Sequence, residues 1–122
     1  MANYKRKPTD KLVGKIGWCD AETLGLDVGH YVFIRRIYGN KCSVNTFTSL
    51  INNKTNRYTI NKFDQVKNGT IYPIPTKDTT LPRFGGVHNN VITQVPLNEV
   101  RDIGKYSLKR RHHHYIQKYV KK

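Results

Sequence analysis

A run of β-forming residues lies on each side of a Gly-Asn pair, and this arrangement constrains the fold more than any other feature of the chain. Residues 31–37 (Tyr-Val-Phe-Ile-Arg-Arg-Ile) and 42–48 (Cys-Ser-Val-Asn-Thr-Phe-Thr) are rich in β-branched and aromatic side chains. Gly39 and Asn40 suit the two-residue turn that joins antiparallel strands. The pattern therefore predicts a β-hairpin.

Three further segments outside the hairpin have strand composition. They are residues 57–60, 70–75 and 91–95. Two prolines in the second segment each remove a backbone donor, which restricts that strand to a sheet edge or end. With short helices at 62–66 and 96–103 and a loop over 76–90, the chain is predicted to be mainly β with α-elements. We expect one domain built as a small SH3-like, partly open β-barrel, with its core at about residues 14–104.

Positive charge is concentrated at the two ends of the chain. The 22 Lys and Arg residues outnumber the 8 Asp and Glu residues, which gives a formal charge of +14. A field of this sign concentrates polyanions, so RNA or DNA is the expected partner. The candidate contacts in the basic N-terminal arm, residues 1–13, are Lys5, Arg6 and Lys7.

The C-terminal segment, residues 105–122, has no acidic residue and spaces its apolar residues as a helix does. It is predicted to form a basic amphipathic helix, with Ser107 as a candidate cap. Its basic side would face nucleic acid. The candidate contacts are Lys105, Lys109, Arg110, Arg111, His113 and Lys118.

Membrane and metal-binding classes find little support in the sequence. No segment approaches the roughly 18 apolar residues of a membrane span, so we expect a cytoplasmic protein with no membrane partner. Cys19 and Cys42 are too few for an all-cysteine zinc site and are expected to be reduced, partly buried thiols. The run at 112–114 places three histidines in different directions on a helix, with no further His, Cys or carboxylate beside them. No metal or other cofactor is expected.

Residues at the open end of the hairpin carry groups suited to RNA cleavage. The 2′-OH of RNA is an internal nucleophile, so cleavage requires a proton acceptor, a cation and groups that hold the phosphate. His30 precedes the first strand, and Thr48 and Ser49 end the second. Positions 30 and 49 are equally distant from the turn, so the three side chains are predicted to lie together.

A cation for the phosphate is available in the first strand of the hairpin. Arg35 and Arg36 are the candidates for this role. Because neighbouring side chains on a strand point to opposite faces, at most one of the two is expected to face the site.

These features resemble the MazF/PemK (Kid-like) family of toxin endoribonucleases and its relatives of the ToxN/AbiQ type. The segment from His30 to Ile34 is similar to the family strand that a basic residue precedes, although the family usually has Arg or Lys there. The segment from Asn45 to Ser49 is similar to the strand that ends in Thr or Thr-Ser. The resemblance implies sequence-selective, metal-independent cleavage of single-stranded RNA to a 2′,3′-cyclic phosphate and a 5′-OH. It also implies a homodimer and an antitoxin, either an acidic peptide or a folded RNA.

Two functions stay open from the sequence. The first is a metal-independent, toxin-like endoribonuclease with its site at the end of the hairpin. The second is a non-catalytic nucleic-acid-binding accessory protein of a mobile element, in which tyrosines stack on unpaired bases. In the second case His30 makes an ordinary backbone hydrogen bond, and Thr48 and Ser49 simply end a strand. Positive charge alone does not separate RNA from DNA, because it recognises phosphate in both.

Overall fold

The computed structural model describes residues 11–52, 57–58, 60–82 and 85–119. The predicted N-terminal contacts Lys5, Arg6 and Lys7 lie outside these ranges. The strands are β1 (Ile16–Cys19), β2 (His30–Tyr38), β3 (Lys41–Ser49), β4 (Ile51–Asn52), β5 (Arg57–Tyr58), β6 (Ile71–Ile74) and β7 (Gly85–Pro96). The α-helices are α1 (Ala21–Leu24), α2 (Ile60–Lys67) and α3 (Arg110–Tyr119).

Five antiparallel strands form one sheet in the order β1-β2-β3-β7-β6, and this sheet does not close on itself. Strands β4 and β5 pair separately. The predicted mainly β, small and partly open barrel with a C-terminal helix is therefore confirmed. Strand β6, which contains Pro73, lies at the sheet edge, as the missing backbone donor of that proline requires.

The core has two apolar clusters, one on each face of the sheet, because successive side chains of a strand alternate between faces. Phe33 and Phe47 belong to one cluster, which Leu108 and Ile116 extend beyond the sheet. The neighbouring residues Val32, Ile34, Cys42 and Val44 belong to the other. The central strand β3 is thus buried on both sides.

Both cysteines lie in the second cluster. Cys19 and Cys42 are free thiols with no exposed surface. Burial raises the pKa of the Cys19 thiol to about 12 and that of the Cys42 thiol to about 11. At neutral pH they remain protonated and act as small apolar side chains.

Strands β2 and β3 form the predicted hairpin, with Gly39 at a left-handed φ of 62° in the turn. The register of the hairpin shifts by one residue along its length. Near the turn Ile37 pairs with Cys42, whereas farther along Val32 pairs with Thr46. A bulge in β2 between Ile34 and Arg36 causes the shift. The register predicted from the sequence therefore holds near the turn and changes by one residue at the open end.

The segment after β6 differs from the sequence prediction in two places. Residues 85–90 are not loop but the first half of β7. Gly86 lets β6 approach closely, since a Cβ there would lie 2.4 Å from Ile71 Cγ2 and 2.8 Å from the carbonyl oxygen of Tyr72. The predicted helix at 96–103 is only a single 3-10 turn, Leu97–Glu99, because β7 continues to Pro96.

Helix α3 begins at Arg110 and is not capped by Ser107, because the preceding residues pair with another segment. The Ser107 N–H donates to Thr80 Oγ1 at 2.7 Å, and Leu108 forms a β-bridge with Thr79. The helix then buries Ile116 against the sheet. Within the described ranges, the length and apolarity of every helix fall short of what crossing a membrane requires.

Candidate functional site

A cleft of about 580 Å³ opens at the end of the β2–β3 hairpin. His30, Thr48 and Ser49 all line it. The structure thus brings together three of the five residues predicted from the sequence as catalytic. Beyond the bulge, however, the strand register places His30 opposite Thr48 rather than Ser49.

His30 is held at the start of β2 by a hydrogen bond across the hairpin. Its Nδ1 lies 2.8 Å from the carbonyl oxygen of Phe47. A carbonyl oxygen only accepts, so Nδ1 carries the hydrogen and donates it. In the neutral ring the lone pair is then on the other nitrogen, Nε2.

Lys62 reaches the end of β3 from helix α2. Its Nζ donates to Thr48 Oγ1 at 2.6 Å, so the ammonium group lies directly beside the hydroxyl. Burial lowers the pKa of the Lys62 ammonium. Because the partner is a neutral hydroxyl rather than a carboxylate, this contact does not cancel the charge of Lys62.

A second histidine is near enough for the charges of Lys62 and His30 to act on it. His88 is half-buried on β7, where its backbone pairs with Ile71 of β6. Burial first, then the positive charges of Lys62 and His30, lower the pKa of His88 to about 4. At neutral pH the His88 imidazole is therefore neutral and has a lone pair that can accept a proton. We call His30, Thr48, Lys62 and His88 the His-Lys cluster.

The two arginines predicted as phosphate contacts lie elsewhere. Arg35 is buried, and its guanidinium donates to the Ile116 carbonyl oxygen at 3.0 Å and to Asn45 Oδ1 at 3.3 Å. Arg36 is exposed on the sheet, and neither side chain lines the cleft. The bulge at this point directs Arg35 toward α3. At most one of the two was expected to face the site, and the structure places neither at the cleft.

The histidine run in α3 is only partly at the surface. The His113 ring packs edge-on against Phe33, with ring centroids 5.4 Å apart, and its Nε2–H donates to the Leu108 carbonyl oxygen at 2.8 Å. Burial lowers the pKa of His113, so the ring is neutral at neutral pH. It does not fit the predicted role as a basic nucleic-acid contact. His114 is exposed.

A buried carboxylate accompanies the histidine run, contrary to the sequence expectation. Asp78 is 2% exposed and accepts hydrogen bonds from His112 Nε2 at 2.7 Å and from Arg111 at 2.9 Å. These donors hold the pKa of the Asp78 carboxyl well below its usual range. Tyr72 is hydrogen-bonded to the opposite nitrogen of His112, Nδ1, at 2.7 Å. Chain folding brings Asp78 to the helix from a position 34 residues away.

The remaining basic residues of the C-terminal segment differ in how well their charge is compensated. Lys109, at 3.4 Å, and Arg111 both pair with Asp78. Lys105 and Arg110 are exposed, and Lys118 lies in α3. Of the predicted C-terminal contacts described at side-chain level, Lys105 and Arg110 best retain the predicted role. In the described part of the chain, no group of three or more His, Cys, Asp or Glu side chains is placed to hold a metal ion.

Comparisons with protein-family models, with curated proteins and with solved structures found no match to this chain. The resemblance to the MazF/PemK family therefore stays a prediction. The function proposed below is based on the chemistry of the His-Lys cluster.

Sequence reasoning missed two members of the cluster, Lys62 and His88. His88 follows Gly-Gly-Val and precedes Asn-Asn, a composition typical of a loop, so its place in a strand was hidden. One signal was present: of the five histidines, three form the run at 112–114, which leaves His30 and His88 as the only isolated ones. No sequence pattern distinguishes Lys62 from the other lysines.

Proposed function

We propose that this protein is a metal-independent endoribonuclease that cleaves single-stranded RNA. One observation carries the proposal: at the end of the hairpin, His30 and Thr48 line a cleft, Lys62 donates to Thr48, and the charges of Lys62 and His30 both act on His88. Two imidazoles supply a proton acceptor and a proton donor, and an ammonium group supplies a positive charge. These are the groups that cleavage by the RNA 2′-OH requires.

His88 is assigned as the general base. Its low pKa keeps the imidazole neutral, so it accepts the proton of the 2′-OH as the 2′-oxygen attacks phosphorus. A base that is already neutral at neutral pH loses no activity to prior protonation. Its partial burial among other positive groups keeps it in this state.

His30 is assigned as the general acid. With Nδ1–H fixed on the Phe47 carbonyl oxygen, a protonated ring donates from Nε2 to the 5′-oxygen as the P–O5′ bond breaks. Lys62 stabilises the negative charge on the phosphorane, and Thr48 and Ser49 position the phosphate. The products are a 2′,3′-cyclic phosphate and a 5′-OH. Proton exchange with water then restores both histidines.

The charge of the whole chain supports an RNA partner, since +14 attracts a polyanion to the protein. The homodimer and the acidic or RNA antitoxin implied by the family resemblance stay predictions, as does location in the cytoplasm.

The test is incubation of the full chain with a long single-stranded RNA and with duplex DNA, in excess EDTA. We expect discrete RNA fragments with 5′-OH ends and no cleavage of DNA. His30→Ala and His88→Ala should each slow cleavage by about 10²- to 10⁴-fold. His114→Ala is the matched control, because His114 is exposed on α3, and it should cleave normally.

Intact RNA that nevertheless shows salt-sensitive binding would reject the enzyme and favour the non-catalytic nucleic-acid-binding protein. Cleavage that appears only when Mg²⁺ replaces EDTA would reject the metal-independent mechanism. Cleavage that persists in both histidine variants would reject the assignment of the site.

A further inference from the structure

The cleft beside the His-Lys cluster has mainly apolar walls. Trp18 comes from β1, Tyr31 from β2 and Ile74 from β6, while Val28 and Leu81 come from the segments between strands. His30, Thr48 and Ser49 lie on the same cleft. Its volume of about 580 Å³ is within the roughly 300–1,000 Å³ typical of sites that bind small molecules.

Aromatic rings form part of this wall in a fixed arrangement. Trp18 and Tyr31 meet edge-to-face with centroids 4.9 Å apart, and Tyr31 meets Tyr106 in the same way at 5.3 Å. A Cβ on Gly29 would lie 2.5 Å from the Trp18 ring, so the absence of a side chain there lets the indole pack against the start of β2. The rings are therefore positioned before any ligand arrives.

The polar atoms of the cleft wall are largely engaged within the protein. Trp18 Nε1–H donates to Asp20 at 3.1 Å, and the Thr79 hydroxyl donates to the Ser107 carbonyl oxygen at 2.8 Å. The Tyr31 hydroxyl is hydrogen-bonded with Tyr106. A ligand in this cleft is thus held mainly by contact with apolar and aromatic surface.

The ligand that fits is flat and apolar at one end and anionic at the other. The apolar walls accept the first part, while Lys62 and the overall charge of +14 attract the second. A nucleotide has this form. We propose that this cleft binds one unpaired nucleobase next to the phosphate held at the His-Lys cluster, and we call it the base cleft. The inference rests on the proposed function only in that this phosphate is the one that is cleaved.

The base cleft accounts for selection of single strands and sets the degree of base discrimination. A base inside a duplex is stacked and paired, so it cannot enter the cleft, whereas an unpaired base can. Because stacking uses the face that every base has, all four bases bind, with larger bases favoured. We expect less than about tenfold discrimination between adenine and uracil, since strong discrimination needs hydrogen bonds to base edges.

The test uses ligands that cannot be cleaved and that differ only in their bases. The probes are a hexamer of 2′-O-methyl adenosine and an abasic hexamer with the same phosphates, because blocking the 2′-oxygen removes the nucleophile. Trp18 is the only tryptophan in the chain, so its fluorescence reports on the cleft. We expect the adenosine hexamer to quench this fluorescence and the abasic hexamer to leave it unchanged.

Val28→Asp and Leu26→Asp are a matched pair of variants. Both residues are exposed, at 60% and 43%, and both belong to the segment between α1 and β2, but only Val28 lines the cleft. Val28→Asp should weaken binding of the adenosine hexamer by about fivefold or more and change abasic binding no more than Leu26→Asp does. Each variant adds one negative charge, so the abasic ligand corrects for electrostatics.

The base cleft is rejected if both hexamers bind equally, if Val28→Asp weakens both by the same factor, or if a uridine hexamer differs from the adenosine hexamer by more than about tenfold. These outcomes are independent of catalysis. Base-dependent binding together with uncut RNA would overturn the proposed function and support the cleft. Cleavage of RNA together with base-independent binding would support the proposed function and overturn the base cleft.

Discussion

At the scale of single residues, the state of His88 determines how cleavage depends on pH. Burial and the neighbouring charges lower its pKa to about 4, so the imidazole is a proton acceptor at every pH above that value. We expect the acidic limb of the pH profile of kcat/KM to fall near pH 4 rather than near 6.5, the usual value for histidine. Steady-state cleavage of a short RNA across this range measures it.

Lys62→Met serves as the control for this assignment. Removing a positive charge beside His88 raises the pKa of that histidine, so the acidic limb should move upward, whatever the variant does to the maximal rate. An acidic limb that remains in place in Lys62→Met would contradict the role of His88 as the base.

Arg35 and Arg36 are adjacent in sequence, yet their substitutions should have different effects. Arg35→Ala leaves the buried Asn45 side chain and the Ile116 carbonyl oxygen without this donor, which costs about 1–3 kcal/mol of unfolding free energy for an unsatisfied group. Arg36→Ala, at an exposed position, should change it by less than about 0.5 kcal/mol. Urea denaturation measures both.

Cleavage by the folded Arg35→Ala protein is a second readout of the same pair. Arg35 does not line the cleft, so its loss should leave kcat largely intact under conditions where the variant is folded. A large fall in kcat with normal stability would show that Arg35 acts in catalysis, as the sequence predicted.

At the scale of elements, the hairpin was predictable and β7 was not. Strands β2 and β3 have β-branched and aromatic residues on both sides of a turn pair, and this local signal is independent of the rest of the fold. β7 begins with Gly85-Gly86 and continues through His88 and two asparagines, so only pairing with β3 and β6 makes it a strand. The site followed the same rule: His30, Thr48 and Ser49 were found from the hairpin, while Lys62 and His88 depend on tertiary contacts.

The attachment of α3 to the barrel depends on Asp78, and its effect on stability should vary with pH. Asp78 accepts hydrogen bonds from His112 and Arg111, while its backbone carbonyl accepts from the Lys109 N–H at 2.8 Å. Asp78→Asn should lower the unfolding free energy at neutral pH, because it removes the buried negative charge that these groups surround. Asp64→Asn, on the exposed side of α2, is the matched control and should have little effect.

The sign of the pH dependence follows from the direction of the Asp78 shift. A carboxyl whose pKa is lowered on folding stabilises the folded state above the ordinary carboxyl pKa of about 4 and loses that contribution as the pH falls below it. The stability difference between the wild type and Asp78→Asn should therefore be greatest at neutral pH and shrink in acid. Urea denaturation at several pH values measures it, and a constant difference would contradict the ion-pair role.

At the scale of the whole molecule, the charge is unevenly distributed. Asp20, Glu22 and Asp27 lie in or beside α1. Glu99 and Asp102 lie in a segment that contacts α1 through the Thr23–Glu99 hydrogen bond and β1 through the Trp18–Arg101 bridge. Five of the eight acidic residues of the chain are thus in these two segments. The rest of the protein therefore has more positive charge per residue than the chain as a whole, and α3 belongs to that part.

This asymmetry predicts that the position of a positive charge, and not only the net charge, determines RNA binding. Arg110 is exposed on α3, whereas Arg101 is exposed but pairs with Asp20 at the acidic end. Arg110→Ala should lower the slope of log K against log salt concentration by about 0.7 for a single-stranded RNA, the value for one lost phosphate contact. Arg101→Ala removes the same charge and should leave the slope unchanged. Salt titrations with 2′-O-methyl RNA measure both slopes, and equal reductions would show that RNA responds to net charge alone.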